Sequence, residues 1–133
     1  MKSGLVSLLS AESTITAICS TRIYVQKAPQ TAAFPHVIIT QMSSDENKSL
    51  DGASGQLRFL NFDIDCKAKT SVGAETLANA VRTFIDDYNG AAGSYTIGGV
   101  ILNDESDDYE PPQDASDVGV FVITLDVDIH YNS

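Results

Sequence analysis

Leu57-Arg-Phe-Leu-Asn-Phe-Asp-Ile-Asp-Cys-Lys-Ala-Lys69 is the stretch whose reading decides the fold. Leu60, Phe62, Ile64, Cys66 and Ala68 fall on one side of an extended chain. Phe59, Asn61, Asp63, Asp65, Lys67 and Lys69 fall on the other. An apolar set at period two describes a strand with one face buried and one wet, the pattern of an antiparallel sheet. Near the C-terminus the pattern returns. Phe121, Ile123, Leu125, Val127, Ile129 and Tyr131 share one face, and Thr124, Asp126, Asp128 and His130 share the other.

Upstream, His36-Val-Ile-Ile-Thr-Gln-Met-Ser43 reads as a third strand. Ser44 to Gln56, a polar stretch, separates it from the strand at Leu57. A hairpin turns in two to five residues, so a stretch this long serves some other end than turning. Such stretches are partner contacts, lids or disordered tips; we expect a protruding arm that contacts a partner, a neighbouring subunit included, through Asp45, Glu46, Asn47, Lys48, Ser49, Leu50 and Asp51. A short strand is expected over Arg22–Gln26, and a loop bracketed by Pro29 and Pro35 leads from it into the strand at His36.

Helical spacing marks three further segments. Leu5, Leu8 and Leu9 form one side of a short helix over Ser3–Ser10, and Ile15 and Ile18 share a face in a helical turn over Glu12–Cys19. The long helix lies between the two alternating strands. Ser71 is its expected N-cap, Leu77, Val81, Phe84, Ile85 and Tyr88 its apolar stripe, and Gly90 its C-terminal cap. Ser94–Ile97 and Val100–Asn103 read as a strand pair turning at Gly98-Gly99, and Asp104–Asp117 as a solvated acidic loop. The fold class is therefore α+β: a mostly antiparallel twisted sheet, with one long helix and short N-terminal helices packed on one face. A single domain is expected over residues 1–133.

Composition narrows function. Eighteen acidic residues stand against eight basic ones, for a net charge of −10. Such a surface repels duplex DNA and anionic lipid. No run approaches the ~20 apolar residues of a bilayer span, and the apolar run at Leu5 is too short for a signal peptide, so a cytosolic product is expected. Cys19 and Cys66 read as buried free thiols.

The residues offer little chemistry. His36 and His130 lie in no catalytic motif, and Asp128 beside His130 on one strand face reads as a solvated pair rather than a dyad. Asp104, Asp107, Asp108 and Glu110 lack the spacing of an EF-hand loop. Asp63 with Asp65, and Asp126 with Asp128, make a carboxylate cluster only if their strands are neighbours in register. Ion pairs with Lys67 and Lys69 are the simpler complement. Gly52–Gly55 and Gly90–Gly93 read as turns, not phosphate loops. No catalytic residue, cofactor or metal site is assigned.

The order of these signals resembles the tail-completion, or tail-terminator, family of long-tailed bacteriophages and prophages. The resemblance rests on Leu8-Leu-Ser-Ala-Glu-Ser13, Ile15-Thr-Ala-Ile18, Thr21-Arg-Ile-Tyr24, Ala28-Pro29 and Phe34-Pro-His-Val-Ile-Ile39. It continues through Ser49-Leu-Asp-Gly52, Phe62-Asp-Ile-Asp-Cys-Lys-Ala68 and Ala74-Glu-Thr-Leu-Ala-Asn-Ala-Val-Arg82 to a last long strand ending in a tyrosine. Cys66-Lys67, where an aromatic is common, and the acidic segment from Asp104 depart from the pattern. The resemblance implies a structural protein of the virion tail and neck, assembled in the host cytoplasm. It implies a homo-hexameric ring that caps the tail tube, ends its polymerisation and offers a surface to the head-tail connector or stopper. DNA passes through without specific binding, and no membrane is involved. A head-side connector or stopper is the alternative reading, and an enzyme or small-molecule-binding α+β domain a more distant one.

Overall fold

A computed structural model of the chain describes residues 2–29, 32–47, 57–86, 88–92, 95–112 and 119–132. Its elements are α1 (Lys2–Ser10), α2 (Ser13–Cys19), β1 (Ile23–Val25), β2 (His36–Asn47), β3 (Leu57–Ala68), α3 (Ser71–Ile85), β4 (Gly90–Ala92), β5 (Tyr95–Glu110) and β6 (Val120–Asn132). The strands form one mixed sheet in the order β1-β2-β3-β6-β5-β4. Among the described residues, only the β1–β2 pair is parallel; the other four are antiparallel.

The alternation of β3 and β6 sets the layers. Phe62, Ile64 and Cys66 of β3 and Leu125, Val127 and Ile129 of β6 are fully buried. Cross-strand pairing puts them in rows, Phe62 opposite Val127, Ile64 opposite Leu125 and Cys66 opposite Ile123. On this face α3 lies across β3 and β6. It offers Ala74, Leu77, Ala78, Val81 and Ile85, all buried, at helical spacing. Helix α2 packs on α3. Helix α1 packs against both β1 and β4, which are the two ends of the sheet. The sheet therefore curls until its two ends share one helix. Leu5 and Leu9 sit in the same core cluster as Ile39 and Ile97.

Local chemistry explains the helix ends and corrects two expectations. The N-cap of α3 is Thr70, not Ser71; its hydroxyl accepts the Gly73 N–H at 3.0 Å. A Cβ on Gly73 would come within 2.8 Å of that Thr70 hydroxyl oxygen. The helix ends at Ile85, with Asp86 as C-cap, so Gly90 does not cap it. Gly90 instead opens β4, at φ +134, and Ala91 and Ala92 pair with Thr96 and Tyr95 rather than forming a turn. Tyr88 lies beyond the helix and Phe84 is only partly buried. Glu12 precedes α2 as its N-cap and accepts the Thr14 N–H at 3.3 Å. β1 is shorter than the expected Arg22–Gln26.

Two segments expected as loops are strand. β2 continues through Ser44, Asp45, Glu46 and Asn47, paired in register with Leu60, Phe59, Arg58 and Leu57. The polar composition had hidden it. The register shifts between Gln41 and Ser43, so Met42 occupies a bulge and is 57% exposed. β5 is likewise one strand of 16 residues. Gly98-Gly99 is not a turn; the register shifts between Ile97 and Gly99 and the strand runs on. The acidic residues Asp104–Glu110, expected in a loop, pair with Asp126–Val120 of β6.

Candidate functional site: an acidic sheet face and an open strand edge

The face of the sheet turned away from the helices carries the charge. Asp63 of β3 lies opposite Asp126 of β6, and Asp126 lies opposite Asp104 of β5. Three aspartates thus form one row across three neighbouring strands. Asp65, Thr124 and Ser106 form the next row, and Asn61, Asp128 and Ile101 the row on the other side. The condition for a carboxylate cluster, neighbouring strands in register, is met. The carboxylates are held chiefly by neutral donors. The Asn61 side-chain amide donates to Asp126 Oδ1 at 2.6 Å and to Asp128 Oδ1 at 2.9 Å. Thr124 Oγ1 donates to Asp65 Oδ1 at 2.7 Å. Asp63 has its carboxyl raised above the ordinary range, first by burial and then by the charges of Asp126 and Asp65.

One of the expected ion pairs between strands is present. Lys67 Nζ pairs with Glu110 of β5 at 3.0 Å rather than with Asp63 or Asp65. Lys69 stands 4.8 Å from the centre of the Phe34 ring. Arg82 of α3 bonds Glu105 at 2.7 Å, and it also donates to Asn79 Oδ1. That ion pair crosses a groove of about 340 Å³ between α3 and the β5–β6 strands, which Glu75, Asp107 and Phe121 also line.

The histidines are separated. His36 is 3% exposed at the start of β2. Its ring packs 4.6 Å from Phe34 and 5.7 Å from Tyr24, and Nδ1 lies 3.1 Å from the Ala33 carbonyl. Burial lowers its pKa more than that carbonyl raises it. His130 lies opposite Phe59 and Gly99 on the outer face of β6. Cys19 and Cys66 are both buried, and burial raises both thiols. Among the described residues, no group of three or more His, Cys, Asp or Glu is arranged to hold a metal ion. No described helix is long and apolar enough to cross a membrane.

The sheet has an open edge. Among the described residues, β4 pairs with β5 over Tyr95–Ile97 and no further. From Gly99 to Asp108, no strand among the described residues covers the other side of β5. Such an edge is what assembling proteins can use and what solitary ones must protect. Of the residues expected to contact a partner, Asp45, Glu46 and Asn47 lie in β2, beyond the stretch that β1 pairs. Lys48, Ser49, Leu50 and Asp51 lie outside the described residues.

The family model of tail completion protein gp17 matches residues 3–131. The chain belongs to that family. It is a structural, tail-related protein of a phage-type virion, and the resemblance read from residue order is upheld. Among solved structures, a chain of the virion of a native gene transfer agent particle superposes with TM-score 0.70 at 16% identity. The superposition covers 100% of this chain and 95% of that one, and it shows a shared fold. No curated protein matches.

Proposed function

We infer that this tail completion protein works by assembling, and that it forms a ring which caps the tail tube, stops its growth and presents a joining surface to the neck of the particle. Membership of the family over residues 3–131 carries this reading. A heterologous contact repeated around a closed ring joins identical copies without leaving an unlimited filament. No bond-making chemistry is called for. The acidic face offers carboxylates already held by Asn61 and Thr124, and the buried thiols and His36 serve packing.

The hexameric state, tube contact through the segment from Asp45 to Asp51, and joining to a connector or stopper belong to this proposal. Carboxylates facing the channel would repel passing DNA and let it slide. Electron microscopy of the protein mixed with purified tail tubes tests it. Rings seated on tube ends are expected, together with an end to further growth. A deletion of residues 48–54, which spares the paired residues of β2, should leave a folded protein that no longer caps. Binding to head connectors but not to tubes would move the protein to the head side of the neck.

A further inference from the structure

We propose that the open edge of β5, from Gly99 to Asp108, is a strand-addition site for an extended segment of a partner protein rich in lysine or arginine. The backbone provides the site. Thr96–Glu110 pairs with β6, but beyond Ile97 the other side of β5 has no strand partner among the described residues. An edge of this length offers main-chain donors and acceptors to an incoming strand at every second residue.

Two of those donors are engaged locally. The Glu105 N–H donates to Asp104 Oδ1 at 2.9 Å, and the Tyr109 N–H donates to Asp108 Oδ1 at 2.8 Å. The register from Asp104 to Glu110 is continuous, so residues four apart direct their N–H groups to the same side. An N–H taken by a carboxylate is not spent on β6; these two therefore mark the outer side. The aspartates close the edge against casual pairing. An incoming strand must displace both carboxylates. A neutral or acidic strand then leaves both carboxylates without donors, whereas a basic strand supplies replacement cations. The edge is thus gated by charge.

A second copy of this chain fits poorly. Each copy carries a net charge of −10, so a second copy would bring like charge to an acidic edge. The occupant is a different, cationic polypeptide. This deepens the assembly reading by stating the partner's chemistry, and it does not require the ring.

The test uses the full chain in solution with a fluorescent peptide alternating lysine and valine. Its control has the same charge but carries prolines that abolish strand pairing. The alternating peptide should bind at least about tenfold more tightly than the control. Hydrogen exchange should show added protection within residues 100–108. An Asp104→Asn/Asp108→Asn variant of unchanged melting temperature should lose about tenfold in affinity for the lysine peptide and gain affinity for a threonine–valine peptide. Equal binding of the two cationic peptides, protection confined to other strands, or no binding at low salt would each overturn the proposal. If the double variant misfolds, the two peptides and the exchange pattern on the unaltered chain still decide it. Loss of tube capping with peptide binding intact would count against the ring alone.

Discussion

Asp63 and Asp126 face each other across the β3–β6 ladder, two carboxylates in directly opposed positions on the outer face of the sheet. Like charges so placed oppose folding. The burial of Asp63 and its neighbours Asp126 and Asp65 raise its pKa above the ordinary 3.8. For an acid whose folded pKa is raised, the penalty is absent below the unfolded pKa. It grows as pH rises through the folded pKa and is then complete. Asp63→Asn should therefore stabilise the protein at neutral pH, by no more than about 1 kcal/mol because solvent and salt screen the site. The gain should shrink to nothing as pH falls below about 3.8. Urea unfolding at several pH values measures this. An equal gain at all pH values would show that charge is not its source.

Asn61 bridges Asp126 and Asp128, so its amide is the donor that makes the carboxylate rows tolerable. Asn61→Ala should cost about 1–3 kcal/mol, the cost of leaving half-buried acceptors without a donor. Asn61→Asp should cost more at neutral pH, since it adds a charge where a donor stood. The two variants should converge in acid, where the carboxylates are protonated. A neutral-pH ranking in the opposite order would refute the bridging role.

His36 is a buried base whose pKa is held below the ordinary 6.5, chiefly by burial. The unfolded chain takes up its proton first as pH falls. Stability should thus be full above about 6.5 and decline below it, until pH passes the folded pKa. His36→Gln should lower stability overall while removing that slope. NMR titration of the ring checks the same point directly; a midpoint above 6.5 would contradict it.

The fold was legible where one face of an element is buried and the other is not. Leu60, Phe62, Ile64 and Cys66 alternate with polar residues because β3 lies between the helices and solvent, so the period survives in the sequence. β5 lost that signal. Residues 103–110 are exposed throughout, on an edge strand whose backbone pairing with β6 needs no apolar side chain. Gly98-Gly99 read as a turn because two glycines favour both a turn and a bulge, and only pairing with His130 and Tyr131 separates them. The aspartate row had the same obstacle. Asp63, Asp104 and Asp126 are far apart along the chain, and strand order, which composition does not encode, brings them together.

Phe62 and Phe84 are both read as apolar-face residues, yet their burial differs. Phe62 is fully buried between sheet and helix, whereas Phe84 only borders the core beside Tyr88, with ring centres 5.5 Å apart. Phe62→Ala should cost about 3–5 kcal/mol through lost burial and a residual cavity. Phe84→Ala should cost less, about 1–2 kcal/mol, because solvent fills part of the space it vacates. Equilibrium unfolding of the two variants gives the comparison, and equal losses would mean that α3 seats Phe84 deeper than described.

Gly119 begins the return from the acidic edge into β6, at φ +77, a conformation that side-chain-bearing residues rarely adopt. A Cβ there would stand 2.5 Å from Tyr109 Oη and 2.8 Å from the Glu110 carbonyl. The Tyr109 side chain, whose ring carbon Cζ would also stand at 2.8 Å, can turn aside; the backbone carbonyl cannot without disturbing the pairing of Glu110 with Val120. Gly119→Ala should therefore cost about 1–3 kcal/mol, and the loss should be concentrated in the last turns of the β5–β6 ribbon. Hydrogen exchange resolves where it falls. Faster exchange across residues 105–110, with the amides of Ile64 and Leu125 unchanged at the core, is the expected pattern. Uniform acceleration through β3 would show instead that this end of the ribbon holds the whole sheet.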